Sequence, residues 1–407
     1  MKNNSRLAKN AIFLCMCSAS FPALAQGSAA PANNFTITAG VTTRYDSNLA
    51  RIDAATAAAN GTRREDYRVS PSIGINLARA LGRHSVSLAA SAGYDFYRYR
   101  TNLNRERLSL QGKAALDIRP CTPDFSVGYS RRQSDLGEID AISALPTGNT
   151  IKNVETVRSA GAQISCGAIV GLRPTASVQY QKSSNNQLQR RIANHHVLSY
   201  SGGVSYTHPT IGDIGLSVGR RETRYPNRPT GGTGGYDVMS YGVNFSRDIG
   251  SRLRGSAQLG YVDLKSNTVG SADFHGVSWS LDMTGTINSR WQASVSTARS
   301  VSSTLTSDST YNVNKTYAID TNYAITDRLH ATAGYRTSQR RYVGSQSIFG
   351  IVPLRNDRLE AINAGLSFQQ SPRLSFNLNV GRDSRNGNGT IYDYKSNRVM
   401  LGASLNL

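Results

Sequence analysis

Apolar and polar residues alternate along almost the whole chain beyond its first two dozen positions. Over residues 84–97, Val86, Leu88, Ala90, Ala92, Tyr94 and Phe96 share one parity, and Ser85, Ser87, Ser91, Gly93 and Asp95 share the other. Residues 274–287 set Val277, Trp279, Leu281, Met283 and Ile287 against Ser278, Ser280, Asp282, Thr284 and Thr286. The last run sets Val399, Leu401, Ala403, Leu405 and Leu407 against Met400, Gly402, Ser404 and Asn406. Successive side chains of a strand point to opposite faces, so this period of two predicts strands with one apolar and one polar face. After residue 26 no stretch carries a convincing helical period.

Eighteen such segments can be counted, and the connections between them also alternate. Short ones fall at 79–83, 119–123, 167–173, 207–213, 248–252, 287–290, 325–328 and 369–373. Longer ones fall at 47–66, 99–106, 133–153, 183–195, 225–237, 265–274, 301–313, 342–357 and 384–393. An even number of dyad strands, with turns short at one end and long at the other, predicts an outer-membrane barrel. Lipid offers no hydrogen bonds, so every backbone N–H and C=O must pair inside the wall, and only closure removes the edges. A propeller would bury both sheet faces, and a solenoid would show a shorter repeat. The expected fold is therefore all-β: a transmembrane antiparallel up-and-down β-barrel of about 18 strands. Strands about 4.7 Å apart and tilted about 40° give a circumference near ~110 Å and a backbone diameter of roughly 35 Å. Side chains alone do not fill that bore, so loops 47–66 or 133–153 are expected to fold inward.

The first residues read differently. Lys2, Arg6 and Lys9 precede an apolar run at 11–24, and Ala23-Leu24-Ala25 is a small-residue cleavage site. Residues 1–25 are expected to be a signal peptide and 26–407 the barrel. The apolar run is too short for a membrane anchor, and Leu14 and Met16 before Cys15 and Cys17 do not suit a lipoprotein signal. Cleavage leaves Cys121 and Cys166, both expected at the periplasmic end of one hairpin. Two nearby thiols in an oxidising compartment predict a disulfide, against the alternative of two unpaired cysteines in separate turns.

Lys+Arg 46 against Asp+Glu 26 gives a net charge of +20, which could suggest nucleic acid. The placement argues against that partner, because arginines recur where strands meet the long loops. Parity divides them. Arg98, Arg100, Arg131, Arg220, Arg299, Arg341 and Arg382 continue the apolar stripe, where they would meet membrane lipid and anionic glycolipid headgroups. Arg44, Arg132, Arg221, Arg336, Arg340 and Arg398 have the opposite parity and are expected to face the lumen, with Asp95, Asp282 and Asp320 among them. Tyr94, Tyr129, Tyr180, Tyr261 and Tyr335 suit an aromatic girdle. Tyr97 and Tyr99 have inward parity, where they could stack on sugar rings or pack under a loop.

Catalytic signals are sparse. The six histidines form no HExxH or HxxEH pattern, and a P-loop motif is lacking. His330 and Asp320 share inward parity on adjacent segments, a thin basis for a site. No metal, cofactor or enzyme activity is expected.

The first strand and its exit, Phe35-Thr-Ile-Thr-Ala-Gly-Val-Thr-Thr-Arg-Tyr-Asp-Ser-Asn-Leu49, resemble the opening of the "putative β-barrel porin 2" family. The turns Gly82-Arg83-His84, Ser251-Arg252-Leu253, Ser289-Arg290-Trp291, Asp327-Arg328-Leu329 and Pro372-Arg373-Leu374 are similar to its turn style. Leu407 departs from the terminal aromatic common in outer-membrane barrels. The resemblance implies a Gram-negative outer-membrane barrel associated with exopolysaccharide or capsule export, working beside a periplasmic partner. Two further readings stand beside it: a general or anion-selective diffusion porin, and a plugged structural or adhesive barrel.

The alternation of turns also predicts orientation. Loops 47–66, 133–153 and 342–357 should be extracellular and both termini periplasmic. Single cysteines placed in those loops should react with an impermeant thiol reagent on intact cells. Labelling at 248–252 or 325–328 instead would invert the topology.

Overall fold

The computed structural model describes residues 33–59, 61, 63–134, 153–168, 170–227, 234–267, 273–303, 311–343, 354–389 and 393–407. The expected signal peptide and most of loop 133–153 lie outside these residues. The first strands are β1 (Asn34–Asp46), β2 (Asp66–Leu81), β3 (His84–Tyr97), β4 (Arg105–Ala115), β5 (Cys121–Gln133) and β6 (Val154–Cys166). Next come β7 (Gly171–Asn185), β8 (His195–His208), β9 (Gly212–Arg224), β10 (Gly235–Ile249), β11 (Leu253–Ser266) and β12 (Phe274–Thr286). The remainder are β13 (Trp291–Ser303), β14 (Tyr311–Ala324), β15 (Leu329–Val343), β16 (Asn356–Gln369), β17 (Leu374–Gly387) and β18 (Tyr394–Asn406). A short helix, α1 (Ala54–Ala59), lies in the first long connection.

Each strand pairs antiparallel with its neighbours in sequence, and β1 pairs with β18 to close an 18-stranded barrel. The closing ladder runs from Thr38 opposite Asn406 to Asp46 opposite Arg398. The Leu407 N–H extends it by donating to the Ile37 carbonyl at 2.8 Å. The strands are longer than the expected ten residues: β2 has 16 and the shortest, β4, has 11. A lipid-facing band about 25 Å tall needs only about ten tilted residues, so the extra length carries the wall beyond the membrane.

The two faces follow the sequence parity. Leu172, Leu216 and Leu259 stand among many exposed large apolar side chains on the outer face. On the inner face short polar side chains lie across neighbouring glycines. A Cβ at Gly365 would meet the Thr332 hydroxyl at 2.7 Å and Asn379 Oδ1 at 2.6 Å. Gly203 of β8 is tighter still, because a Cβ there would meet the backbone carbonyl of Leu216 at 2.5 Å.

Cys121 opens β5 and Cys166 ends β6, directly opposite in register, and a disulfide joins them. It ties the short-turn end of a hairpin whose other end carries the connection 134–153.

One seam departs from a uniform barrel. The β12–β13 ladder stops at Trp279 opposite Arg299, so the upper end of β12 has no partner on that side. The unpaired Val277 carbonyl accepts from the Arg299 guanidinium. Above the seam, inner-parity Tyr236, Val238, Val262 and Leu264 share one buried cluster with outer-parity Val301, Tyr311 and Val313. The inner face of one flank thus overlaps the outer face of the other, and apolar burial replaces the missing backbone bonds.

Gly203→Ala should lower the heat-unfolding temperature of the folded barrel, read by its heat-modifiable gel mobility. Overpacking of this kind costs about 1–3 kcal/mol.

Candidate functional site: an arginine belt on the inner wall

The tops of the inner face, from β15 around the closure to β4, carry alternating arginines and aspartates. Arg340 of β15 donates to Asp357 of β16 at 2.6 Å, and Arg385 of β17 donates to the same carboxylate at 2.7 Å. Arg398 of β18 pairs with Asp383 of β17, and Arg44 with Asp46 within β1. On the far side of the closure Asp95 of β3 lies 3.6 Å from Arg68 of β2 and 3.8 Å from Arg107 of β4. The Ser70 hydroxyl donates to that carboxylate at 2.6 Å.

The first long connection completes this belt. Arg51, at φ 57°, reaches back to Asp46 at 3.2 Å and to Asp383 at 3.7 Å. Asn48 donates to the Ile52 and Lys395 carbonyls at 2.8 and 3.0 Å, so the turn is held across the β1–β18 closure. Ser396 also donates to Asp46 across it. Leu49 packs on Tyr97 and Leu103, and a small cleft remains between Arg44, Asp46, Leu49, Asp66, Arg68 and Tyr97. The expectation that 47–66 folds inward therefore describes its first turn. Farther along, Asp53 caps α1 by accepting from the Ala55 and Thr56 N–H groups at 2.9 and 3.0 Å. Partial burial alone would raise its carboxyl, yet these bonds and the Thr56 hydroxyl hold it below the ordinary range.

The residues expected in the lumen divide three ways. Arg44, Arg340 and Arg398 stand in the belt. Arg132, Arg221 and Arg336 have inner parity on β5, β9 and β15, and Arg132 lies 3.5 Å from Glu155. The tyrosines separate: Tyr97 packs under a loop, one of the two readings it was given, and Tyr99 leaves the inner face. Tyr97 is buried beneath the first turn, because its ring supplies apolar surface that Leu49 and Leu103 cover. Tyr99 lies beyond the end of β3, with the Arg63 guanidinium 3.5 Å above its ring and outer-face Tyr67 6.2 Å away, so strand parity no longer governs it.

The arginines expected at headgroups divide as well. Arg131, Arg220, Arg299, Arg341 and Arg382 lie on the outer face by register. Arg131 pairs with Glu106 at 2.8 Å, and Arg220 pairs with Glu222 and Asp237. Arg299 lies over the Trp279 ring beside the open seam. Arg98 is exposed just past β3, where its N–H continues the ladder to β2, whereas Arg100 is corrected, because the chain has left the strand by then. The Arg98 N–H donates to the Tyr67 carbonyl, while the Arg100 N–H binds Asp66 and its guanidinium binds the Arg63 carbonyl. His330 and Asp320 do not meet: Asp320 lies opposite Gly334, four residues along β15 from His330 and about 13 Å away at strand rise.

Arg51, Arg68, Arg107 and Arg385, with Asp46, Asp357 and Asp383, were not among the expected site residues, whereas Asp95 was expected in the lumen. Parity could have found Arg68, Arg107 and Arg385. Arg51 is in a turn, where no period operates.

Residues 32–407 match the family model described as "putative beta-barrel porin 2". The chain belongs to this family. This beta-barrel porin 2 member is accordingly a Gram-negative outer-membrane protein. No match was found among curated proteins. Among solved structures the porin is similar to OccK2 (OpdF) of Pseudomonas aeruginosa, at 11% identity and TM-score 0.49, covering 92% of this chain and 98% of that one. It is also similar to OccAB3 of Acinetobacter baumannii, at 12% identity and TM-score 0.47, covering 92% and 99%. The siderophore receptor PirA of Pseudomonas aeruginosa is a third, at 12% identity and TM-score 0.45, covering 93% and 81%.

Asp357 holds two arginines from a fully covered position. Asp357→Ala should destabilise the porin by about 3–5 kcal/mol, because it leaves buried charge unpaired. Urea unfolding in detergent micelles would measure this, with exposed Arg63→Ala as the contrast, expected to change stability by less than ~1 kcal/mol.

Proposed function

We propose that this porin is a diffusion conduit that favours small anions. The observation that carries the reading is an asymmetry of exposure along the belt. The carboxylates are covered: the side chains of Asp357, Asp46 and Asp95 are 0%, 3% and 8% exposed. The arginines paired with them are each more exposed than the carboxylate they hold, from Arg385 at 4% and Arg340 at 14% to Arg44 at 23% and Arg107 at 39%, and the same holds for Arg398 against Asp383 and, beyond the belt, for Arg132 against Glu155. A solute in the bore meets guanidinium groups first, and the aspartates act behind them as fixed counter-charges. A wall of one sign raises the local concentration of ions of the other sign, and a multi-site belt lets them leave again.

Export of a surface polysaccharide is the weaker reading. Besides the wide bore and the family resemblance it drew on Tyr97 and Tyr99 in the lumen, and both rings are engaged, one under the first turn and one beneath Arg63. The inner belt has the residues of a binding and filtering surface, and the reading assigns it no reaction.

The porin reconstituted in a planar bilayer under a salt gradient should show an anion-selective reversal potential. Replacing Arg107, Arg132 and Arg398 together with Gln should move that potential towards zero or reverse its sign. An unchanged potential would remove the belt as the selectivity element. Accumulation of polymer in the periplasm of a deletion strain, with uptake of small anions intact, would restore the export reading.

A further inference from the structure

The outer face holds a second set of cations. Arg158 of β6, Lys182 of β7, His196 of β8 and Arg224 of β9 lie in one lateral row, each directly opposite the next in register. All continue outward-facing stripes: Ile164, Ala162 and Ala160 lead to Arg158, while Val178 and Tyr180 lead to Lys182. Arg224 is held by Asp237. The Tyr180 hydroxyl and His196 Nδ1 lie 2.8 Å apart, which leaves the other ring nitrogen of His196 facing away from that bond.

Arg158 and Lys182 are exposed and make no hydrogen bond or ion pair with any described residue. Like charges directly opposite each other across a ladder are destabilising. The outer-face carboxylates of flanking strands do not relieve them, since Glu106 is taken by Arg131, and Glu222 and Asp237 by Arg220 and Arg224. The pair therefore lacks a counter-ion among the described residues.

Its height says where the counter-ion comes from. From Leu172 to Lys182 is ten residues, about 33 Å along the strand, or about 25 Å across the membrane at a tilt near ~40°. That distance is about the height of the lipid-facing apolar band. Tyr129, directly opposite Arg158, and Tyr180, two residues below Lys182, mark the aromatic level of the interface. Two unpaired cations just above it, at the long-loop end, face the depth of the phosphates of the outer leaflet.

We propose that Arg158, Lys182 and His196 form a binding site for a phosphate group of an outer-leaflet phosphoglycolipid. The guanidinium gives a bidentate fork and the ammonium a point charge to the same oxyanion. One bound phosphate would convert the repulsion across β6–β7 into a bridge between the strands. The site rests on the position of the wall in the membrane and is independent of what passes through the bore.

Native mass spectrometry of the detergent-solubilised porin, titrated with bis-phosphorylated lipid A, tests this. The wild-type protein should bind it with at least about tenfold higher affinity than R158Q/K182Q. R131Q, whose native guanidinium is already committed to Glu106, should bind as wild type does. Dephosphorylated lipid A and phosphatidylglycerol should each bind at the weak level of the double variant. In lipid-free detergent R158Q/K182Q should unfold at a temperature no lower than wild type, since it removes an opposed like-charge pair. Equal binding by wild type and double variant, or equal binding of phosphatidylglycerol, would overturn the glycolipid site. Competition by millimolar inorganic phosphate as strong as by the lipid would assign the pair to a free anion and overturn the lipid.

Discussion

Closure of the hydrogen-bonded wall is the constraint on which this structure depends. Every amide in a membrane must find a partner, and an open sheet would leave two strands with one side unpaired. Here the burden falls on the β1–β18 ladder, which joins the first strand of the chain to the last. Polar side chains reinforce it at its long-loop end, where Asp46 receives Arg44, Arg51 and Ser396, and Asn48 reaches the Lys395 carbonyl. The belt that gives the lumen its charge is thus also the lacing of the closure. A member of the belt cannot be judged as functional or structural alone, and this is why the more exposed Arg107 and Arg398, with Arg132 beside the belt, are better probes of selectivity than buried Arg385.

Where the hydrogen-bonded wall is interrupted, other interactions stand in. Above Trp279 and Arg299 the β12–β13 ladder is absent. A tyrosine- and valine-rich cluster and the Arg299 guanidinium close that seam. At the opposite end the β5–β6 hairpin is tied by Cys121–Cys166. The barrel therefore combines three kinds of tie, each placed where backbone pairing by itself is weak or ends.

The inner and outer faces use arginine differently. Inside, carboxylates are covered and guanidinium groups remain partly wet, so the belt presents net positive charge to the bore. Outside, Arg131, Arg220 and Arg224 are neutralised by Glu106, Glu222 and Asp237. Arg158 and Lys182 face each other across β6–β7 with no such carboxylate among the described residues. In the proposed roles, the same residue type acts as a filter, a structural counter-ion or a lipid contact according to which carboxylates share its face.

Much of this architecture was legible in the chain itself. Strict alternation, eighteen segments and two classes of connection gave the barrel, its strand order and the common end of the two cysteines, because parity and turn length are local properties. The faces of Arg44, Arg340 and Arg398 followed from the same count. Parity failed for Tyr99 and Arg100, because β3 ends at Tyr97 and a side chain well beyond a strand end no longer alternates. It was silent on Arg51, which enters the belt through a turn, and on the overlap at the β12–β13 seam. It also could not separate neutralised arginines from Arg158 and Lys182. Ion pairing across strands depends on register between segments distant in sequence, and that register exists only once the wall has closed.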